Sequence, residues 1–277
     1  MITSSVENFI LDILFPISCL SCGKDDTWLC PECLEKIKLL SAQVCPYCEK
    51  NITESGSICP LCKEKFVSKN SAIPLDNLIV AASYRENIIP RLIHTCKYNF
   101  VSDLSDPLGK IMIYAILKNN FPLPDLIIPV PLHRRRQRFR GFNQSELLAD
   151  YIAENLTPGF PIPVLSNFII RARYTKPQMK IKNYQERQKN IQNIFVANIN
   201  NKTPGVFSPF GKGRSPEGTE GFEKQNYLDK DFLKSKTILL VDDVATTGAT
   251  LFECGKTLKK YGAGKVFGTV IARQEIS

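Results

Sequence analysis

The sequence predicts an α/β protein, a parallel sheet with helices on both faces, preceded by a small cysteine-rich module. Three observations carry this expectation. Eight of the ten cysteines fall between Cys19 and Cys62 as four C-x-x-C pairs. From about residue 77 onward, apolar runs of strand length alternate with amphipathic runs of helix length. Toward the C-terminus, TILLVDD, a small-residue loop, a helix, a glycine stop and the run KVFGTVIA follow in the order of a βαβ unit. With 277 residues the chain has room for one large domain or two smaller ones. Its 43% apolar content is that of a chain with a core to bury, which excludes fibrous, collagen-like and wholly disordered classes.

Residues 6–15, VENFILDILF, place Phe9, Ile10, Ile13 and Leu14 on one helical face, so residues 1–18 are expected to hold a docking helix. A membrane-surface helix is the lesser alternative, because the polar face lacks Lys and Arg. No run reaches the ~18 apolar residues of a membrane span, and no basic leader precedes the apolar stretch. The expected compartment is therefore the reducing cytoplasm, where disulfides do not persist and thiolate coordination of Zn²⁺ is the better reading of the cysteines. Sequential pairing assigns Cys19, Cys22, Cys30 and Cys33 to one ion and Cys45, Cys48, Cys59 and Cys62 to the other, closing short loops. Interleaved pairing stays open as an alternative. The module, residues 19–70, has little beyond Trp28, Ile37, Leu39, Leu40, Ile58 and Phe66 to bury. Structural zinc, at about 10 kcal/mol of binding free energy, would supply what that core lacks. Two all-thiolate sites leave no open position, which implies structural or partner-binding roles.

Residues 71–277 form the expected second domain. NLIVAASY reads as a strand, Ile88 to Cys96 and Leu104 to Leu117 as helices, and DLIIPVP as a buried strand. Asn143 with Glu146 reads as an N-cap and capping-box partner for a helix starting at about Gln144. NFIIRAR and NIFVANI look like further strands. Between them and the last βαβ unit, residues 200–227 are rich in Gly, Pro, Ser and charge without periodicity, and are expected to be a disordered surface insertion.

The most specific signal is ILLVDDVATTGAT, Ile238 to Thr250. Backbone N–H groups in a tight turn at a helix N-terminus point at an anion, and Gly248 allows close approach of a phosphate. Thr246, Thr247 and Thr250 add hydroxyls. Asp242 and Asp243, at the C-terminal end of a parallel strand, can accept hydrogen bonds from sugar hydroxyls. From Leu239 to Thr250 the chain resembles the phosphoribosyl-pyrophosphate signature of type I phosphoribosyltransferases. The resemblance implies that Ala245, Thr246, Thr247, Gly248, Ala249 and Thr250 hold the 5-phosphate and that Asp242 and Asp243 act on the ribose hydroxyls, with Mg²⁺ bridging the diphosphate.

A second constellation, PVPLHRRRQRFRGFNQ, places Arg134, Arg135, Arg136, Arg138 and Arg140 after an apolar strand. A solvated basic loop is the bland alternative. The run is similar to the ComF/GntX family, and with the cysteine-rich module the likeness covers nearly the whole chain outside 200–227. It implies that Arg134, Arg135 and Arg136 bind pyrophosphate. Arg138, Arg140 and Phe142, with aromatics between arginines, also suit stacking on single-stranded nucleic acid. His133 is expected to stay neutral beside five arginines. Thr175, Gln178, Arg187 and Asn190 resemble the family's mobile-loop elements, and Lys97 a Lys-Tyr element that contacts phosphate. Cys96 and Cys254 are expected to be buried and inert. Three functions compete: a Mg²⁺-dependent phosphoribosyltransferase with an unknown acceptor, a DNA-uptake factor that binds single-stranded DNA, and a non-catalytic sensor of phosphoribosyl pyrophosphate. The net charge of +9 favours polyanionic partners in each case.

Overall fold

A computed structural model describes residues 17–99, 101–175, 191–198 and 232–274. The expected N-terminal helix, the 200–227 insertion and the mobile-loop residues Gln178, Arg187 and Asn190 lie outside them. The cysteine-rich part contains helix α1 (Pro31–Glu35), strands β1 (Gln43–Val44) and β2 (Ile52–Thr53), and helix α2 (Pro60–Val67). Both helices begin with a proline directly after a cysteine, where the missing N–H leaves no bond unmade. There follow β3 (Asn77–Ser83), α3 (Ile88–Tyr98), α4 (Ser105–Lys118), β4 (Leu126–Pro129), α5 (Arg134–Arg140) and α6 (Gln144–Asn155). The chain continues through β5 (Ile169–Arg171), β6 (Phe195–Ala197), β7 (Thr237–Ala245), α7 (Ala249–Lys260) and β8 (Lys265–Arg273).

Four strands form one parallel sheet in the order β3-β8-β7-β4, which places β7 between β8 and β4. Parallel strands covered on both faces are apolar at consecutive positions, and alternate residues enter two cores. Ile79, Ile127, Leu239, Val241, Phe267 and Ile271 pack with α3, α4 and α6 on one face. Leu78, Val80, Ile128, Ile238, Leu240 and Val266 pack with α7 on the other. Strands β5 and β6 do not join this sheet. They pair with each other as an antiparallel hairpin whose Ile169 and Phe195 enter the α7 side. The segment after Leu132 is also not a loop, since Arg134–Arg140 is helical, with the His133 side chain as its N-cap and Gly141 (φ 79°) ending it. The capping signal at Asn143 is realised, and its side chain accepts the Ser145 N–H while donating to Val130 O.

The cysteine-rich module covers the free edge of β3, which would otherwise be open to pairing with another chain. Leu39 bridges Ala82, Ser57 bridges Asn77, and the Ile58 N–H donates to Asp76 O. Gln43, only 3% exposed, substitutes for a neighbouring strand: its Oε1 accepts the Val80 N–H at 3.0 Å and its Nε2 donates to Val80 O at 3.1 Å. Trp28, Leu34, Ile37 and Leu39 pack onto the α3–α4 side of the core, so the first half of the module shares that core. Replacing Gln43 with Leu leaves both Val80 backbone groups unpaired and should lower the unfolding free energy by about 2 kcal/mol in denaturant titration. An unchanged midpoint would mean that water replaces the amide.

Candidate functional site

The cysteines form two clusters in sequential order, Cys19, Cys22, Cys30 and Cys33, then Cys45, Cys48, Cys59 and Cys62, each with all its sulfurs within 4.8 Å of one another. Interleaved pairing is thereby excluded. The Cys22–Cys30 and Cys48–Cys59 Sγ separations are 3.7 and 3.9 Å, the edge of a tetrahedron with metal–sulfur bonds of about 2.3 Å. The two clusters repeat one design. Cys30 and Cys59 cap their helices at φ −70°, ψ 156° and φ −71°, ψ 156°, and their N–H groups donate to Cys19 Sγ and Cys45 Sγ. The N–H groups of Asn51 and Lys50 hold the Cys48 thiol down to about 6, favouring the thiolate a metal needs. The residues therefore fit two structural Zn²⁺ ions.

At the C-terminal end of the parallel sheet lies a cleft of about 330 Å³. Its floor is the end of β7. Asp242 Oδ1 accepts both the Ser145 hydroxyl from α6 and the Asp243 N–H, each at 2.9 Å. Asp243 is buried and paired with Lys97 of α3 at 2.8 Å. Removal from water and the adjacent Asp243 carboxylate push Asp242 up to about 7, against the pull of Lys97. Lys97, itself a cleft-lining residue, neutralises one member of the acidic pair.

One wall is the loop from β7 into α7. Gly248 adopts φ 69°, a left-handed conformation that glycine supplies without strain, and α7 starts at the next residue. Thr246 and Thr250 face the cleft. Thr247 does not: it is 1% exposed, and its hydroxyl accepts the Ala249 N–H, so it shapes the loop from within. Asp242, Asp243, Thr246 and Thr250 are thus brought together, with Ala245 and Ala249 buried beneath them.

The cleft is also lined by arginines, and α5 sorts them by face. Arg136 and Arg140 turn inward to the cleft, whereas Arg134, Arg135 and Arg138 are exposed. Arg140 donates to Gln144 Oε1 and lies over the Tyr98 ring. Phe142 is half-buried against the α3–α4 core. His133 accepts the Arg135 N–H on Nδ1, and burial with the surrounding guanidiniums lowers its pKa, so it caps a helix as a neutral ring.

Sequence reasoning missed Arg171, the last residue of β5. Its guanidinium bonds to the Thr175 hydroxyl while Arg136 donates to the Thr175 carbonyl, and neither arginine has a carboxylate partner among the described residues. Burial first, and Arg136 second, lower Arg171 to about 10, and its buried Nε has no hydrogen-bond partner among the described residues. Two half-buried guanidiniums meeting at one threonine have the chemistry to hold an anion between them. Ser145 was missed as well, since a serine in the first turn of a helix carries no signal for a partner 97 positions away. Cys96 and Cys254 are buried, as expected.

The raised pKa of Asp242 makes the folded chain hold more protons than the unfolded one between about pH 4 and pH 7, so its effect on stability worsens as pH rises through that window. Asp242→Asn keeps an acceptor for Ser145. The variant should melt with the parent near about pH 4 and a few degrees above it at about pH 8; a lower melting point at the higher pH would show that the ionised carboxylate stabilises the fold.

Residues 10–63 match the family model of the double zinc ribbon domain. Competence protein F of Haemophilus influenzae is 27% identical over 195 residues, covering 69% of this chain and 70% of that one. The DNA utilization protein YhgH of Shigella flexneri is 27% identical over 197 residues, 70% of each chain, and that of Escherichia coli K12 is 26% identical over the same length and shares. No helix among the described residues is long and apolar enough to cross a membrane. The chain joins an N-terminal double zinc ribbon to a parallel α/β domain and is a relative of competence protein F and the DNA utilization proteins, as its resemblance to the ComF/GntX family implies.

Proposed function

We propose that this protein binds phosphoribosyl pyrophosphate with Mg²⁺ and transfers the phosphoribosyl group to an acceptor as part of DNA uptake. The observation that carries the reading is that one cleft is lined by an acidic pair, by threonines of the glycine loop and by two half-buried arginines that meet at Thr175. The 5-phosphate sits at Thr246 to Thr250, where N–H groups at the start of α7 face an anion. Asp242 and Asp243 accept hydrogen bonds from the ribose hydroxyls. Arg136 and Arg171 receive the diphosphate, whose departure from C1 takes the bonding electron pair with it as the acceptor's lone pair bonds to C1. A carboxylate that is costly to ionise alone, such as Asp242, suits a nearby divalent cation. Bound Mg²⁺ would supply charge neutralisation at the diphosphate.

The association with DNA uptake rests on the names of the relatives, competence and DNA utilization proteins. A second reading, single-stranded DNA binding, is favoured by the exposed arginines of α5, Arg134, Arg135 and Arg138, which do not line the cleft. The two ligands separate by mutation. Calorimetric titration of the zinc-loaded protein with phosphoribosyl pyrophosphate and Mg²⁺ should give binding that strengthens as pH rises through about 7 and falls at least ~100-fold in Asp242→Ala/Asp243→Ala. A parent protein that does not bind overturns the proposal. Arg134→Ala/Arg135→Ala/Arg138→Ala should keep that affinity and lose the salt-dependent affinity for single-stranded DNA; a flat salt response in the parent removes the DNA reading.

A further inference from the structure

The second zinc knuckle touches the glycine loop through two separate chains of contact. In the first, Tyr47, between ligands Cys45 and Cys48, stacks on Phe252 of α7 at a centroid distance of 4.7 Å and an interplanar angle of 11°. Phe252 in turn lies under Gly248: a Cβ built there would come within 3.2 Å of the ring. The Tyr47 hydroxyl also donates to Leu75 O and accepts the Leu75 N–H, each at 2.9 Å, which fixes the ring against the segment leading into β3. In the second, Glu49 Oε1 accepts from Arg273 Nη2 at 2.6 Å, and Arg273 Nε donates to the Thr246 carbonyl at 3.2 Å.

Comparison of the two knuckles singles out Glu49. The first knuckle has Gly23 after its second cysteine, at φ 80°, with its N–H on Cys19 O at 2.9 Å. Glu49 stands at the equivalent place, at φ 57°, with its N–H on Cys45 O at the same 2.9 Å. Metal binding alone would be served by glycine there, since a side chain in the left-handed region is strained. Strain held at one position directs attention to what the side chain does, and the Glu49 carboxylate reaches Arg273. That contact also bridges 224 positions of sequence.

We propose that Glu49 and Tyr47 are positioning residues that make the second zinc knuckle a rigid support for the glycine loop, so that loop geometry depends on the knuckle through Arg273 and Phe252. The inference takes the loop as the phosphate site of the function proposed above. Its structural part is independent of that reading, because Glu49→Gly removes the carboxylate while giving the knuckle the residue its backbone prefers.

The test uses the full-length, zinc-loaded protein without ligand. Amide exchange is followed at Ala249, Phe252 and Gln274, whose N–H groups bond to Thr247 Oγ1, Gly248 O and Ala245 O. In Glu49→Gly these amides should exchange about tenfold faster, with zinc content unchanged and exchange in β3 and α4 unaltered. Phe252→Leu, which removes the stacking from the other side, should act alike. Unchanged exchange at the three amides in both variants would overturn the proposal, as would loss of zinc from Glu49→Gly, which would make the residue part of the metal site. With phosphoribosyl pyrophosphate and Mg²⁺ as probe, Glu49→Gly should bind about tenfold more weakly. A parent that binds nothing would refute the phosphate reading and leave the exchange result to decide the coupling.

Discussion

Two aspartates follow one another at the end of a buried strand, and the charge of Asp243 opposes ionisation of the neighbouring Asp242. Much of the domain can be understood from what makes this tolerable. Lys97 must come from α3 to neutralise Asp243, and Ser145 from α6 to bond Asp242. Both helices reach the pair because β7 lies inside a parallel sheet, with α3 following β3, and α6 entered from β4. The register of that sheet, with Val241 opposite Pro129 and Thr269, sets all three strands to end at the same cleft. A site of this kind cannot be assembled by one segment of chain.

The same sheet explains why a metal module is attached at its edge. Strand β3 has one free side, and the cysteine-rich segment has too few apolar residues to fold on its own. Each covers the other's deficit: Gln43 and Leu39 cap the strand, while Trp28 and Leu34 borrow the core beneath it. Gly56 marks how close this docking is, since a Cβ there would meet the Leu78 carbonyl oxygen at 2.0 Å. The second knuckle then reaches past the edge to the glycine loop, so a module far from the cleft in sequence contacts the loop that bounds it.

The arginines illustrate a division of labour produced by helical geometry. Residues four apart share a face. Arg136 and Arg140 therefore turn toward the cleft together, and the remaining three stay in solvent. Inward and outward arginines differ in physics as well as position: a half-buried guanidinium without a carboxylate among the described residues favours an anion beside it, whereas a solvated one has no such preference. The inward pair is completed by Arg171 from a different part of the chain.

Features that repeat over a few residues could be read directly from the chain. The C-x-x-C spacing identified the ligand sets, apolar runs and periods located the strands and helices within a few residues, and the Asp-Asp to glycine-loop order located the cleft floor. Each of these is a local pattern imposed by coordination geometry, by strand or helix periodicity, or by turn chemistry. Other features had to await the tertiary structure. A run of five arginines after a strand reads as a basic loop, and it becomes a helix with two faces only when His133 caps it and the cleft lies beside it. Lys97 on Asp243, Ser145 on Asp242, Arg171 beside Arg136 and Glu49 on Arg273 join positions 146, 97, 35 and 224 apart. No local periodicity encodes such pairs, because their energy exists only once packing has brought the partners together and removed the water between them.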